Sequence, residues 1–199
     1  MSKYTVAITG ASGAPYAYRL LQVLIKQGHT IFVSISGDGL SIIGDETNLH
    51  LKGSETDIQY DLIKHFDAKE GQLTYFDEDN MYAPIASGSF KIDAMVVIPC
   101  SMKTLSSIAN GASTNLIERA ADVTIKERRK LIIVPRETPL SAIHLTNMLT
   151  LAGLGCHIIP AMPAFYHHPK EVLDLVNFIV GRVLDTMGIE NDLTARWGL

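Results

Sequence analysis

Cysteine is nearly absent: Cys100 and Cys156 are the only two among 199 residues. Two thiols build no disulfide framework and fall into no Cys/His spacing of a metal site, so core packing must hold the fold and no metal is expected. Positive charge is also scarce. Seventeen Lys and Arg against twenty-one Asp and Glu leave a formal charge of −4, which argues against a general nucleic-acid-binding surface. The one dense basic run, Lys126-Glu127-Arg128-Arg129-Lys130, is what a helix C-terminus collects against its dipole. No apolar run approaches 18 residues, so no membrane span is expected. Repeats, low-complexity tracts and linkers are missing, which leaves residues 1–199 as one domain. The opening MSKYTVAITG enters a strand without the basic and apolar regions of a signal peptide, which predicts a cytoplasmic protein.

What is present is a core-forming composition, 47% hydrophobic, arranged as short apolar runs alternating with helical periods. The organising stretch is Ala94–Thr104. Its apolar run stops at Pro99 and gives way to Cys100-Ser101-Met102-Lys103-Thr104, then to a helical pattern through Leu105, Ile108 and Ala109. That reads as a buried parallel strand turning sharply into a helix, with Ser101 as its N-cap. Similar units follow from Thr5–Ile8 with a helix from Tyr16 to Gln27, from Thr30–Ile35, from Leu73–Phe76, from Leu131–Val134 with a helix over 140–152, and from His157–Ile159. Pro169 is read as opening a last helix that ends near Met187. Residues 54–66 and Asn115–Arg129 are further helices, and Asp77–Phe90 is mostly loop. Strands alternating with helices predict a doubly wound, Rossmann-like (flavodoxin-like), mainly parallel α/β sheet with helices on both faces.

In such sheets ligands bind beyond the carboxyl ends of the strands. Those ends carry Gly10-Ala11-Ser12, Ser36, Ser101 to Thr104, Arg136-Glu137 and Tyr166. Small hydroxyl residues, an Arg, a Glu and an aromatic suit a phosphorylated, planar ligand. GASGA is not the G-x-G-x-x-G fingerprint, and Ser36 stands where a ribose-binding acid would close the second strand, so a mononucleotide is favoured over a dinucleotide. Arg119 and Lys126 lie seven residues apart on one helical face. Spacing leaves two readings open: they hold an anion together, or Arg119 pairs with Asp122 on the surface. Cys100, at a buried strand end, reads as a packing residue.

The segments GASGAPYA, APIASGSF, PCSMKTLSSIANG, NLIERAADVTIKERRKLIIVPRETPLS, IHLTNML and PAMPAFYHHP strongly resemble the flavin prenyltransferase (UbiX/Pad1-like) family, from about Thr5 to Trp197. The resemblance implies transfer of a dimethylallyl group from dimethylallyl phosphate to reduced FMN. Alkylation at N5 and ring closure at C6 give prenylated FMN for a UbiD-type decarboxylase, without a metal and commonly in a homododecamer. It implies an FMN site at Gly10, Ala11, Ser12, Ser36, Ser101, Met102, Lys103, Thr104 and Arg136, lined by Ser87 and Asn115. It places Arg119, Lys126, Tyr166 and Arg182 at the donor phosphate. Glu46 and Glu137 become the acid/base carboxylates, with Lys126 and Ser12 assisting, and Trp197 in the tail of about 188–199 closes over the site. Met81-Tyr82 departs from relatives that place Trp there.

Three other functions compete, one of them a direct aromatic-acid decarboxylase, for which FMN alone offers no electron sink. An FMN-dependent peptidyl- or pantothenoyl-cysteine decarboxylase is echoed by Ala112-Ser113-Thr114-Asn115, but its catalytic His and Met-rich segment are not found. A non-enzymatic FMN carrier would leave Arg119, Lys126, Tyr166 and Arg182 without a purpose.

Overall fold

The computed structural model describes residues 1–194. Six parallel strands form one sheet: β1 (Lys3–Ile8), β2 (Thr30–Ile35), β3 (Leu73–Asp77), β4 (Ala94–Cys100), β5 (Lys130–Pro135) and β6 (His157–Ile158), in the order β3-β2-β1-β4-β5-β6. This is the doubly wound topology that the alternating pattern predicts, with its switch point between β1 and β4.

Both faces are covered, which is why the strands read as continuous apolar runs instead of alternating ones. Val6, Ile8, Val33, Val96, Ile98 and Val134 point to one face. There they meet helices α1 (Ala14–Lys26), α3 (Glu55–Phe66) and α7 (Val172–Met187). Ala7, Phe32, Met95, Val97 and Ile133 point to the other face, packing on α4 (Met102–Ala109), α5 (Leu116–Lys126) and α6 (Ala142–Gly153). The short helix α2 (Gly37–Glu46) follows β2 directly, and a single 3-10 turn at Pro84–Ala86 breaks the long loop before β4.

Three sequence expectations shift. The last helix opens at Val172, not at Pro169, because the Asp174 carboxylate accepts from the Lys170 and Glu171 N–H groups and sets the start there. The sixth strand is only two residues long. The helix expected over 140–152 starts at Ala142, where Ser141 accepts from the His144 N–H and His144 Nδ1 accepts in return.

The strand ends are tied laterally. Pro99, which has no N–H to give a central strand, sits in a register shift of β4 between Val97 and Cys100. Thr9 repairs the junction. Its N–H and hydroxyl both donate to the Pro99 carbonyl, at 3.2 and 2.9 Å, while the hydroxyl oxygen accepts from the Ser101 N–H at 2.8 Å. Ser36 N–H reaches the Ile8 carbonyl, and Arg136 N–H the Cys100 carbonyl, in the same way.

Beyond α7 the chain turns back. Ile189 is buried, Asn191 donates to Asp185 at 3.0 Å, and Leu193 and Thr194 reach a cavity shared with His167 and His168. Residues 190–194 thus return toward the carboxyl end of the sheet; Trp197 lies outside the described residues.

Thr9 is buried, so Thr9→Val should strand the Ser101 N–H and lower stability by about 1–3 kcal/mol, against a much smaller loss for Thr9→Ser. Chemical denaturation of the three proteins measures this.

Candidate functional site

Of the helices that begin at the carboxyl ends of the strands, α1, α2, α4 and α5 bear on the site, and each of these starts is finished by a side chain. Ser36 caps α2 by accepting from the Gly39 N–H at 3.1 Å. Ser101 caps α4 by accepting from the Thr104 N–H at 3.2 Å and passes its own proton to the Thr104 hydroxyl. Asn115 caps α5, accepting from the Glu118 N–H at 2.9 Å. The α2, α4 and α5 starts open on one cavity of about 200 Å3, lined also by Gly10, Lys103, Glu78 and Glu118. Gly10 is required by contact: a Cβ there would overlap that of Asp38 in the first turn of α2.

The start of α1 is different. Gly13, at φ 128°, has no side chain to cap with, and Glu46 serves instead. Its Oε2 accepts from the Gly13 N–H at 2.7 Å and from the Ala14 N–H at 2.9 Å. The Gly-rich turn that suggested a phosphate cradle therefore already holds an anion of the protein's own. Arg136 locks the same turn, its Nε donating to the Ser12 carbonyl at 3.0 Å, while half-buried Glu137 accepts from the Thr138 N–H. Gly10, Ala11, Ser12, Ser36, Ser101–Thr104, Asn115, Arg136, Glu137 and Glu46 are thus brought to one end of the sheet.

The remaining predicted residues lie elsewhere. Arg119 pairs with Asp122 at 3.0 Å, and its Nε donates to the Ala86 carbonyl, so the surface pair that the spacing allowed is formed. Lys126, at the far end of α5, pairs with Glu127 at 2.7 Å beside Gly88. Ser87, which the resemblance put near FMN, belongs to this second patch and bonds Ser89. Arg182 is on α7, across the sheet, 3.7 Å from Asp185. Tyr166 is exposed and meets His167 and Phe178 edge-on. One chain does not gather Arg119, Lys126, Tyr166 and Arg182.

Burial raises the Cys100 thiol far above its ordinary pKa and pushes Cys156 up to about 11, which suits packing residues. Sequence reasoning missed Glu118, only 3% exposed. Burial pushes its carboxyl upward, but hydrogen bonds from the Thr114 hydroxyl at 2.6 Å, the Thr114 N–H at 2.8 Å and Ser107, with Lys103 nearby, outweigh that and hold it below the usual range. The signal was there: Asn115-x-x-Glu118 is a helix-start pattern. Glu78 was also missed. It follows β3 and bonds both Gly37 and Asn115.

A model of the flavoprotein family matches residues 1–184. The flavin prenyltransferase UbiX of Halalkalibacterium halodurans is 50% identical over 98% of this chain and 93% of its own. The chain belongs to the flavin prenyltransferase family of flavoproteins. Among solved structures, AnUbiX (PadA1), in complex with FMN and dimethylallyl pyrophosphate, superposes with a TM-score of 0.88 at 38% identity, covering 99% of this chain and 97% of its own. The dodecameric FMN-dependent UbiX-like decarboxylase of Escherichia coli O157:H7 gives 0.86 at 43%, covering 98% of each. The peptidyl-cysteine decarboxylase EpiD, at 17% identity, shares the fold alone.

FMN suits this site. Its phosphate calls for N–H groups and hydroxyls, and the cavity collects helix starts with Ser36, Ser101 and Thr104 around a glycine that leaves room for close approach.

Because Glu118 titrates below its unfolded value, its stabilisation is present above about pH 4.5 and is lost as pH falls through the lowered pKa. Glu118→Gln should cost about 1–2 kcal/mol at pH 7, and its stability should fall less steeply than that of wild type between about pH 5 and 3. Urea unfolding across that range tests both.

Proposed function

We propose that this chain transfers a dimethylallyl group from dimethylallyl phosphate to reduced FMN and that the prenylated flavin passes to a UbiD-type decarboxylase. The observation that carries this reading is the end of the sheet where Glu46 closes on the Gly13 and Ala14 N–H groups while Arg136 fixes Ser12 beside Glu137. It combines with half-sequence identity to a flavin prenyltransferase over nearly the full length. Reduced FMN, when bound, supplies the nucleophilic N5 and C6.

Gly10, Ser36, Ser101, Met102, Lys103, Thr104, Asn115 and Arg136 bind and orient the flavin, and Ser87, which lies in the second patch beside Arg119, reaches a flavin only from a neighbouring copy. The donor's C–O bond breaks toward an allylic cation and a phosphate, and cations that meet the growing phosphate charge lower that barrier. Arg119, Lys126 and Arg182 are those cations. Tyr166 and Trp197 offer ring faces to the allylic carbon, an attraction of roughly 0.5–2 kcal/mol. Glu137 takes the proton lost on ring closure, and Glu46 and Ser12 hold the turn beside it. The single domain ends in a tail that covers the site, excluding water that would trap the cation. The course of residues 190–194 back past Gly181 supports that closure.

The cations reach one phosphate only between copies. Arg119 and Lys126 flank the Ala86–Gly88 segment on one face of the sheet, and Arg182 projects from the other. Ile143, Leu145, Leu149 and Leu154 leave an apolar surface on and just beyond α6, suited to a homo-oligomer like the dodecameric neighbour. No helix among the described residues is long and apolar enough to cross a membrane.

Anaerobic incubation with reduced FMN and dimethylallyl phosphate, followed by mass analysis of the flavin, should show a gain of one C5H8 unit. Unchanged flavin with either the mono- or the diphosphate donor would sink the reading. Glu137→Gln should retain FMN and form the adduct at least tenfold more slowly, seen as a single-turnover rate. Arg119→Ala and Arg182→Ala should each be nearly inactive. Co-assembled in one oligomer they should recover part of the wild-type rate, since some interfaces then carry two intact halves; no recovery would place all four groups within one subunit.

A further inference from the structure

Glu78 is seated where a ligand anion would be. Its Oε1 accepts from the Gly37 N–H, the first of α2, at 2.6 Å, and its Oε2 accepts from the Asn115 Nδ2 at 3.0 Å. Both donors line the cavity assigned to FMN, next to Ser36. We propose that the Glu78 carboxylate stands in for the FMN phosphate in the flavin-free protein and is displaced when FMN binds. Building on the FMN site proposed above, Glu78 then sets how strongly the site prefers the phosphorylated flavin.

Charge singles Glu78 out. Asp38, Glu78 and Glu118 give the cavity three carboxylates against one cation, Lys103, so a phosphate drawn by its N–H groups and hydroxyls also meets like charge there. Glu118 is tied down by Thr114 and Ser107, away from exchange. Asp38 sits in the first turn of α2, a favourable place for a negative charge that the helix itself stabilises. Glu78 alone occupies donors that point at the ligand space. Its backbone is independently fixed: its carbonyl accepts from the Leu116 N–H at 2.7 Å, and the neighbouring Asp77 N–H is held by Glu55 at 2.8 Å. The side chain can leave without unravelling the loop. Until then it satisfies α2 and clamps it to the start of α5, so flavin-free protein keeps the cavity's shape while each binding event must first undo two charge-assisted bonds.

The test is direct binding, read by quenching of flavin fluorescence in flavin-stripped full-length protein, with FMN and riboflavin as paired probes. Glu78→Gln and Glu78→Ala should each bind FMN about tenfold more tightly than wild type, the scale of one removed like-charge contact, and riboflavin within about twofold of wild type. In thermal melts Glu78→Ala should lower the transition of the stripped protein and enlarge the rise caused by FMN. Weaker or unchanged FMN binding in both variants would overturn the proposal and make Glu78 an ordinary organiser of the loop. Equal tightening of FMN and riboflavin would overturn competition with the phosphate. If wild type binds neither flavin, the FMN reading itself falls.

Discussion

The ladder of bonds that ties the end carbonyls of β1, β4 and β5 to the segments leaving their neighbours is the constraint on which the site depends. Ser36 N–H is held by Ile8, Thr9 N–H and hydroxyl by Pro99, Arg136 N–H by Cys100, and Ala161 N–H by Pro135. A parallel sheet ends raggedly, because each strand leaves into its own crossover. Here the ends are set in one row, so the loops start from fixed heights. Thr9 matters most because it spans the switch point, where α1 and α4 depart to opposite faces and the crevice opens. Its hydroxyl is donor to one side of the Pro99 bulge and acceptor to the other. Pro99 brings no N–H to the ladder, and Thr9 gives partners to the Pro99 carbonyl and the Ser101 N–H in the place where the site begins.

On that fixed row the protein places its own anions. Helix starts facing a crevice need acceptors or ligands, and an unpaired buried N–H is costly. Glu46 supplies the acceptor for α1, Glu78 for α2, and Glu118 binds the turn preceding α5. These carboxylates differ in how firmly they are held. Glu118 is buried and saturated with donors. Glu46 uses one oxygen for two N–H groups. Glu78 splits its oxygens between two elements that meet the cavity. The helix starts around the cavity thus have acceptors from the protein itself, and of the three carboxylates it is Glu78 that bridges two elements lining the cavity.

Much of the frame was legible because buried parallel strands announce themselves as apolar runs stopped by Pro, Gly or Ser, and because Ser101 sits where a helix cap is expected. The start of the last helix differs for a local reason: Pro169 offers a fixed φ, but the Asp174 carboxylate accepts two N–H groups, those of Lys170 and Glu171, and bonds won. What could not be read were bonds between distant positions. Nothing near Glu46 in the chain announces Gly13, and nothing near Glu78 announces Gly37 and Asn115. Such partners meet only after the sheet has assembled. The spacing of Arg119 and Lys126 was correctly ambiguous, since both cations face outward yet each has an acidic neighbour, Asp122 or Glu127, within reach.

If Arg119, Lys126 and Arg182 meet one donor phosphate as proposed, those local pairs also bear on why the chemistry would need an assembly. Exposed ion pairs contribute little, about 0–1 kcal/mol, so Asp122, Glu127 and Asp185 hold their cations weakly. A phosphate arriving with two negative charges in a space closed to water would outbid them, because the same charges attract far more strongly once desolvated. A single copy cannot provide that space, for its cations lie on both sides of a six-stranded sheet and are open to solvent. Bringing the α5 face of one copy against the α7 side of another would bury the apolar residues of α6, exclude water and release the cations from their weak partners in one step. Oligomerisation on this reading is part of the catalytic site's electrostatics, since it converts surface charges of little worth into a closed anion-stabilising shell.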